Sequence, residues 1–268
     1  MGDRATDFRK PYEAVALPIW LELLAGVEML YLRVSPIYWG LGVPKGDGSA
    51  VVVVPGFLLN DLYLTGFRAW LRRIGYRPYS SGIGINAECP NLLIKEHLID
   101  TVKKAYQETG KKVHIVGHSL GGVLARAMGS QMPDQVASVI TLGSPFRGVS
   151  VHPMILNAVE MVRNQIHSRN GESVLPSCYT GACSCRFLES LVLKLPRSVA
   201  RTAVYTKTDG IVDWRVCTTG NHYNDFEISG THIGMVFNPL VYDLVARRLA
   251  RVSDRHRTSR KRPKANPA

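Results

Sequence analysis

The stretch "KVHIVGHSLGGVLARAM", residues 112–128, constrains the fold of this chain more than any other segment. A continuous apolar run typical of a buried strand changes within a few residues into a pattern with helical spacing. Ser119 stands at this change, between Gly117 and Gly121. A strand that turns sharply into a helix forces the residue at the turn into a strained conformation, and side chains on its flanking positions would clash. The segment therefore predicts a strand-to-helix turn that exposes the Ser119 hydroxyl.

The rest of the chain repeats this alternation of apolar strands and helical patterns. Strand-like runs occur at 49–57, 78–83, 112–119, 136–145, 201–212 and 224–232, and helical patterns at 61–74, 92–108, 120–132 and 238–252. Repeated strand–helix units favour a mostly parallel sheet with helices on both faces. A chain of 268 residues that is 46% hydrophobic can bury such a core as one domain. The predicted fold class is therefore α/β.

The sequence predicts three parts. Residues 1–48 form an N-terminal amphipathic segment packed on the core, residues 49–252 form the α/β domain, and residues 253–268 form a basic, disordered tail. Within the domain, residues 146–200 break the alternation and are interpreted as a cap or lid inserted over the strand ends. The segment 13–34 mixes apolar side chains with glutamates, so docking on a membrane surface stays open as the alternative to packing.

The formal charge of +12 is concentrated at the end of the chain. Residues 247–264 carry nine Lys or Arg against one acid, Asp254, a net of +8. A basic run of this kind is usually solvated, so nucleic acid is an unlikely partner, while contact with anionic lipid stays possible. No signal-peptide pattern and no apolar run of about 18 residues occurs. We therefore expect a cytoplasmic protein with possible peripheral membrane contact; the oligomeric state is unknown.

Three of the five cysteines, Cys178, Cys183 and Cys185, lie close together in "CYTGACSC". Free thiols are the favoured interpretation because the count is odd and no leader is seen. A zinc site completed by Cys217, or a disulfide between two of these four, is left open, although no C-x-x-C pair is present. We expect no metal and no organic cofactor.

Three loops that follow predicted strands carry candidate catalytic groups. The loop "PGF" can direct the backbone N–H of Phe57 toward the N–H of Leu120, which gives two donors for an oxyanion. Asp209 follows the strand in "TKTDGIVDW", and His232 follows the last strand in "ISGTHIGM". The carboxyl ends of parallel strands share one edge, so the order Ser119, Asp209, His232 predicts a nucleophile, acid and base.

Each of these roles has competing candidates in the sequence. Asp213 is the alternative acid and Asp225 a more remote one, but Asp209 lies nearer the strand end. His222 precedes the last strand, whereas His232 follows it. His114 and His118 are four residues apart on a strand and turn, which is not a metal-binding arrangement. His97, in a helix, is interpreted as structural, and Ser119 as a simple helix cap is disfavoured by its context.

Taken together, "PGF" at 55–57, "GHSLGG" at 117–122, "TDGIV" at 208–212 and "GTHIG" at 230–234 make the sequence resemble the α/β-hydrolases of the bacterial lipase and esterase type. The likeness spans roughly residues 50–252. It implies an α/β-hydrolase fold, a mostly parallel sheet with helices on both faces and a cap-like insertion after the sixth strand. It also implies Ser119 as nucleophile, His232 as general base, Asp209 as its orienting acid, and the backbone of Phe57 and Leu120 as oxyanion hole.

The resemblance implies a serine carboxylic-ester hydrolase that acts on acyl esters through an acyl-enzyme. Apolar residues of the 146–200 insertion favour a lipid-like substrate over a small ester. An acyltransferase that passes the same acyl group to a lipid or alcohol acceptor is the first alternative. A hydrolase-fold binding protein without activity is the second, disfavoured because all three triad residues are present.

Overall fold

A parallel six-stranded sheet forms the centre of the molecule. The computed structural model describes residues 13–170 and 185–261, with side chains for 13–169 and 185–253. The strands are β1 Glu13–Ala14, β2 Ala50–Val54, β3 Arg77–Ser80, β4 Val113–His118, β5 Val136–Leu142, β6 Ser150–Val151, β7 Ala200–Tyr205 and β8 Asp225–Glu227. The main sheet has the order β3-β2-β4-β5-β7-β8, every neighbouring pair being parallel, while β1 and β6 pair separately.

Helices join these strands and cover the sheet. They are α1 Ala25–Val34, α2 Thr65–Arg73, α3 Pro90–Leu93, α4 Ile99–Thr109, α5 Leu120–Gln131, α6 Pro153–Asn170, α7 Arg186–Val192 and α8 Pro239–Lys261. Short 3-10 turns lie at Ile19–Leu24, Pro36–Trp39, Asp61–Leu64, Trp214–Cys217 and Ile233–Phe237, and a π-helical turn at Ile94–Leu98 links α3 to α4. The predicted helix over 92–108 is thus one continuous helical path made of three pieces.

Both faces of the sheet are buried, as the strand patterns predict. In β2, Ala50, Val52 and Val54 pack into one core together with α4, α5 and α7. Val51 and Val53 point to the other core, which contains α2 and α8. A strand buried on both faces needs apolar residues at every position, and this explains the continuous "AVVVV" run. The predicted fold class is confirmed.

The N-terminal segment packs on the domain with its acidic side inward. Glu22 and Leu32 are buried, whereas the stripe Leu23, Val27, Leu30 and Val34 is exposed, Leu23 by 85%. In the described part of this segment, the residues that face the domain are Glu22 and Leu32, and the apolar stripe faces away from it. The N–H groups of Gly210 and His232, on two buried turns, face Glu22 of this segment. Buried N–H groups require acceptors, and the carboxylate of Glu22 supplies one.

The insertion at 146–200 divides into two parts in the structure. Its first part contains β6, which pairs with β1, and α6, whose buried Val162 and Ile166 contact a cluster around Cys89. Its last part, α7, packs on α5 in the main core and is therefore not a cap. The insertion follows β5 rather than a sixth strand, because the sixth strand in chain order, β6, lies inside it. Residues 171–184 lie outside the described residues.

Two other sequence predictions concern the chain's end and its cysteines. α8 continues to Lys261, well into the predicted disordered tail, and 262–268 lie outside the described residues. Cys178 and Cys183 also fall outside them. Cys217 is buried with Val151 and Val212, whereas Cys185 packs against the core that contains α4, α5 and α7. In the part of the chain that is described, no helix has the length and apolar character needed to cross a membrane.

Candidate active site

Ser119 lies at the turn from β4 into α5 in a strained backbone conformation. Its φ of 52° and ψ of −126° are rare for a residue with a side chain. Its N–H is held by the carbonyl of Leu142 at 2.8 Å. A Cβ on Gly117 would overlap the backbone of Gly121, and one on Gly121 would overlap the carbonyl of Val54. The two glycines are therefore required by close backbone contacts, as the sequence predicts.

The loop after β2 lies directly beside the serine. A Cβ on Gly56 would come within 3.1 Å of the Cβ of Ser119, so the loop passes close to this serine. Within the described part of the chain, no acceptor is found for the N–H of Phe57 or for that of Leu120. Leu120 is the first residue of α5, where backbone N–H groups lack helical partners and the helix dipole is positive. The two N–H groups are thus available to a negatively charged oxygen.

Asn86 fixes the shape of this loop. Its side-chain amide donates to the backbone carbonyl of Pro55 at 2.8 Å. Its backbone carbonyl accepts from the N–H of Leu58 at 2.9 Å, and its backbone N–H donates to the carbonyl of Leu59 at 2.8 Å. Asn86 is fully buried, and Leu58 has a positive φ of 60°. A loop clamped in this way holds the N–H of Phe57 at a fixed position.

Asp209 and His232 form a buried hydrogen-bonded pair. His232 Nδ1 donates to Asp209 Oδ2 at 2.7 Å, and both side chains are at most 3% exposed. Asp209 Oδ1 accepts from the N–H groups of Ile211 and Val212 at 2.9 and 2.7 Å, which directs Oδ2 toward the imidazole. The ring also lies against Gly143, where a Cβ would come within 3.0 Å of Nδ1. The tautomer is thereby set, and Nε2 is left with its lone pair.

His118 links the serine turn to the histidine loop. Its ring centroid is 4.8 Å from that of His232, and its Nε2 donates to the carbonyl of His232 at 2.9 Å. Burial, followed by the nearby charge of His232, lowers the pKa of His118 to about 3. His118 is therefore neutral at physiological pH. Since His118 precedes Ser119 in the chain, this bond connects the turn of Ser119 to the loop of His232.

The electrostatics of His232 favour the protonated ring. Burial by itself lowers its pKa, but the Asp209 charge and hydrogen bond, with a further contribution from the charge of Glu22, raise the pKa above its ordinary value. An imidazole that accepts a proton here is stabilised by two carboxylates. The pair therefore has the geometry and the charge of a general base with its orienting acid.

The alternative residues lie elsewhere or have other partners. Asp213 accepts from the N–H of Arg215 at 3.0 Å, and Asp225 accepts from the N–H and hydroxyl of Thr219. His222 is exposed and contacts Tyr223. His114 Nδ1 bonds to Ser138 Oγ at 2.7 Å in the sheet, and His97 is partly exposed in the π-helical turn. Among the described residues, no group of three or more His, Cys, Asp or Glu side chains can hold a metal ion.

Besides Asn86, the structure adds groups around the His232 loop that sequence reasoning missed. Tyr63 donates its hydroxyl to the carbonyl of Ile233 at 2.9 Å. Glu28 accepts from the N–H and the hydroxyl of Thr231 at 3.2 and 2.6 Å, and Glu22 accepts from N–H groups of the same loop. The one available signal was the presence of glutamates in an otherwise apolar segment, whose partners lie about 200 positions away.

The first part of the insertion covers the loop beside Ser119. Phe57 and Leu92 pack against the buried cluster formed by Cys89, Val162 and Ile166. The latter two come from α6, so this helix contacts the loop that carries the Phe57 N–H. Apolar side chains of the insertion are thus placed next to the candidate site.

Comparisons with known proteins give matches to enzymes that act on esters and thioesters. Residues 84–207 match the family model described as palmitoyl protein thioesterase. A triacylglycerol lipase of Burkholderia plantarii is 29% identical over 153 residues, which are 54% of this chain and 43% of the lipase. The chain therefore spans less than half the length of that relative.

Two solved structures show the fold. An α/β hydrolase from a sediment metagenome of the Mar Chica lagoon superposes with a TM-score of 0.51 at 16% identity, over 78% of this chain and 94% of that one. A monoacylglycerol lipase of Paleococcus ferrophilus superposes with a TM-score of 0.52 at 16% identity, over 78% of this chain and 97% of the other. The fold is therefore that of the α/β hydrolases, and the sequence matches of the chain are to a triacylglycerol lipase and to the palmitoyl protein thioesterase family.

Proposed function

We propose that the protein is a serine carboxylic-ester hydrolase that acts on long-chain acyl esters. The observation that carries the proposal is the buried pair of His232 and Asp209, joined at 2.7 Å at the sheet edge where Ser119 occupies a strained turn. This arrangement is costly in backbone strain and in desolvation, and such costs are typical of functional sites.

The proposed reaction starts with Ser119 Oγ attacking the ester carbonyl. His232 Nε2 takes the hydroxyl proton as the C–O bond forms, and Asp209 stabilises the resulting imidazolium. The oxyanion accepts from the N–H groups of Phe57 and Leu120 at the positive end of α5. His232 then gives the proton to the departing alcohol, which leaves an acyl-enzyme. Water, deprotonated by the same ring, attacks this acyl group and releases the acid.

The preference for long acyl chains rests on two supports. α6 places apolar side chains against the loop of Phe57, which offers an apolar wall beside the reacting carbonyl. The names of the matched lipase and of the matched thioesterase family both refer to acyl substrates. Acyl esters are therefore the proposed substrates, and acyl thioesters of the same length belong in the test.

The test is hydrolysis of p-nitrophenyl esters from acetyl to palmitoyl, and of a palmitoyl thioester, by the wild type and by Ser119→Ala. We expect activity that rises with chain length and falls by at least about 10⁴-fold in the variant. Product analysis with an added alcohol separates hydrolysis from acyl transfer, because transfer yields a new ester. A folded wild-type protein that is silent toward every substrate would contradict the proposal.

A peripheral contact with anionic membranes is the second part of the proposal. The exposed stripe Leu23, Val27, Leu30 and Val34 lies on a chain with a formal charge of +12. Apolar side chains that enter the headgroup region and basic residues that face anionic lipid add their effects in binding. The proposed partner is a bilayer that contains phosphatidylserine.

Vesicle co-sedimentation tests this contact. The double variant Leu23→Ser/Leu30→Ser should lose most of the binding to phosphatidylcholine–phosphatidylserine vesicles. The matched control is Leu193→Ser/Leu240→Ser, which removes two leucines that are 61% and 53% exposed on other elements. Absence of wild-type binding, or an equal loss in both double variants, would remove the membrane contact from the account.

A further inference from the structure

The carboxylate of Glu22 joins the two loops that carry Asp209 and His232. Its Oε1 accepts from the N–H of Gly210 at 2.9 Å and from the N–H of His232 at 3.0 Å. Its Oε2 accepts from the N–H of Ile233 at 2.8 Å. One oxygen atom therefore bridges the residue after the acid and the residue that carries the base.

The contact is closely fitted. A Cβ on Gly210 would come within 3.0 Å of Glu22 Oε1 and within 2.8 Å of the carbonyl of Pro18. A Cβ on Gly234 would overlap the carboxylate of Glu28 on the same N-terminal segment. Because Gly210 and Gly234 have no side chain, the N-terminal segment can pack directly against both loops. A shift of either loop against the other would break hydrogen bonds to the same carboxylate.

The chemical nature of the side chain indicates more than a structural role. Glu22 is only 8% exposed, and no cation forms an ion pair with it among the described residues. Burying a carboxylate costs free energy that a neutral side chain avoids, and backbone N–H groups only partly offset that cost. The charge of Glu22 places a second negative group, besides Asp209, near the imidazole of His232.

We infer that Glu22 is a positioning residue for the proposed hydrolysis, which holds the acid and base loops in register and stabilises the imidazolium formed during the reaction. The inference rests on the proposed function, because it assigns Glu22 a role in the same site. Glu22 does not touch the substrate or the reacting atoms. It acts through the backbone of two loops and through its charge on His232.

The experiment compares Glu22→Gln, the conservative Glu22→Asp and the matched control Glu28→Gln. Each protein is assayed for kcat and KM across pH, and the pKa of His232 is measured by NMR titration of its imidazole resonances, assigned from their loss in His232→Asn. Thermal unfolding verifies that each variant is folded. The NMR measurement does not require turnover, so it reports on Glu22 independently of the proposed activity.

We expect Glu22→Gln to lower kcat about 10- to 100-fold with little change in KM and to lower the pKa of His232. Glu22→Asp, which keeps the charge, should retain a pKa nearer the wild type. Glu28→Gln changes a side chain that bonds to Thr231 and Asn238 but not to the N–H groups of Gly210, His232 and Ile233, so it should leave the pKa of His232 in place. An unchanged pKa and kcat in folded Glu22→Gln, or equal effects in Glu28→Gln, would overturn the inference. An inactive wild type with a lowered pKa in Glu22→Gln would refute the proposed function and leave the electrostatic role of Glu22 supported.

Discussion

Ser119 has a backbone conformation that its surroundings must hold in place. A residue with a side chain at a φ of 52° and ψ of −126° costs on the order of 1–3 kcal/mol. The bond from its N–H to the Leu142 carbonyl and the close packing of Gly117 on Gly121 keep it there. The backbone of the turn is thus fixed by contacts with neighbouring strands and glycines, and Ser119 itself is only partly buried.

At the same scale, Asp209 and Asp213 provide a matched pair of substitutions. Asp209→Asn removes the acceptor that sets the His232 tautomer, so kcat should fall by about 10³- to 10⁴-fold. Asp213→Asn changes an aspartate that bonds to Arg215 instead, and its kcat should stay within a few fold of the wild type. Steady-state kinetics on one ester give the comparison, and the reverse order of effects would show that the acid is Asp213.

The pH dependence follows from His232. Burial lowers its pKa, but the Asp209 charge and hydrogen bond and the Glu22 charge raise it above 6.5. Because only the neutral ring acts as a base, kcat/KM should rise with pH with a midpoint above 6.5. The raised pKa also stabilises the fold below the unfolded-state value, a contribution that is lost as pH rises through the folded-state value. A kcat/KM profile with its midpoint at or below 6.5 would contradict this assignment.

Among the elements, the joint of β4 and α5 depends on close backbone contact. α5 begins directly over the end of β2, where a Cβ on Gly121 would overlap the carbonyls of Val54 and Pro55. Neither carbonyl can move without shifting β2. The first turn of α5 and the loop of Phe57 are therefore held together by the sheet itself.

A glycine pair tests this joint. Gly121→Ala should destabilise the protein by about 3 kcal/mol or more, because the added methyl group meets backbone atoms. Gly66→Ala, in α2, meets nothing within 4 Å and should be neutral or stabilising by up to about 1 kcal/mol. Urea unfolding of both variants gives the values. Similar stabilities for the two would show that the joint tolerates a side chain.

For the molecule as a whole, the sequence predicted what local patterns can report. An apolar run such as "AVVVV" indicates a strand that is buried on both faces, and the glycines around Ser119 indicate close backbone contacts. The sheet, its two covered faces and the strand-end position of Asp209 and His232 could therefore be inferred. The family likeness supported the same sheet. The assigned roles of the triad remain predictions for experiment.

What could not be inferred depends on contacts between distant positions. The sequence does not indicate which side of the N-terminal segment is buried, because its Glu22 accepts from N–H groups near residues 210 and 232. The clamp by Asn86 and the packing of α7 on α5 depend likewise on tertiary contacts. Tertiary contacts of this kind leave no periodic pattern in the sequence.

The measurement that tests the central claim most directly is labelling with a fluorophosphonate probe, mapped by mass spectrometry, on the wild type and on His232→Ala. The probe reacts with an activated serine hydroxyl. We predict one labelled peptide in the wild type, modified at Ser119, and labelling that is slower by orders of magnitude in His232→Ala. No labelling of the folded wild type, or labelling of another serine, would contradict the account of Ser119 as a nucleophile activated by His232.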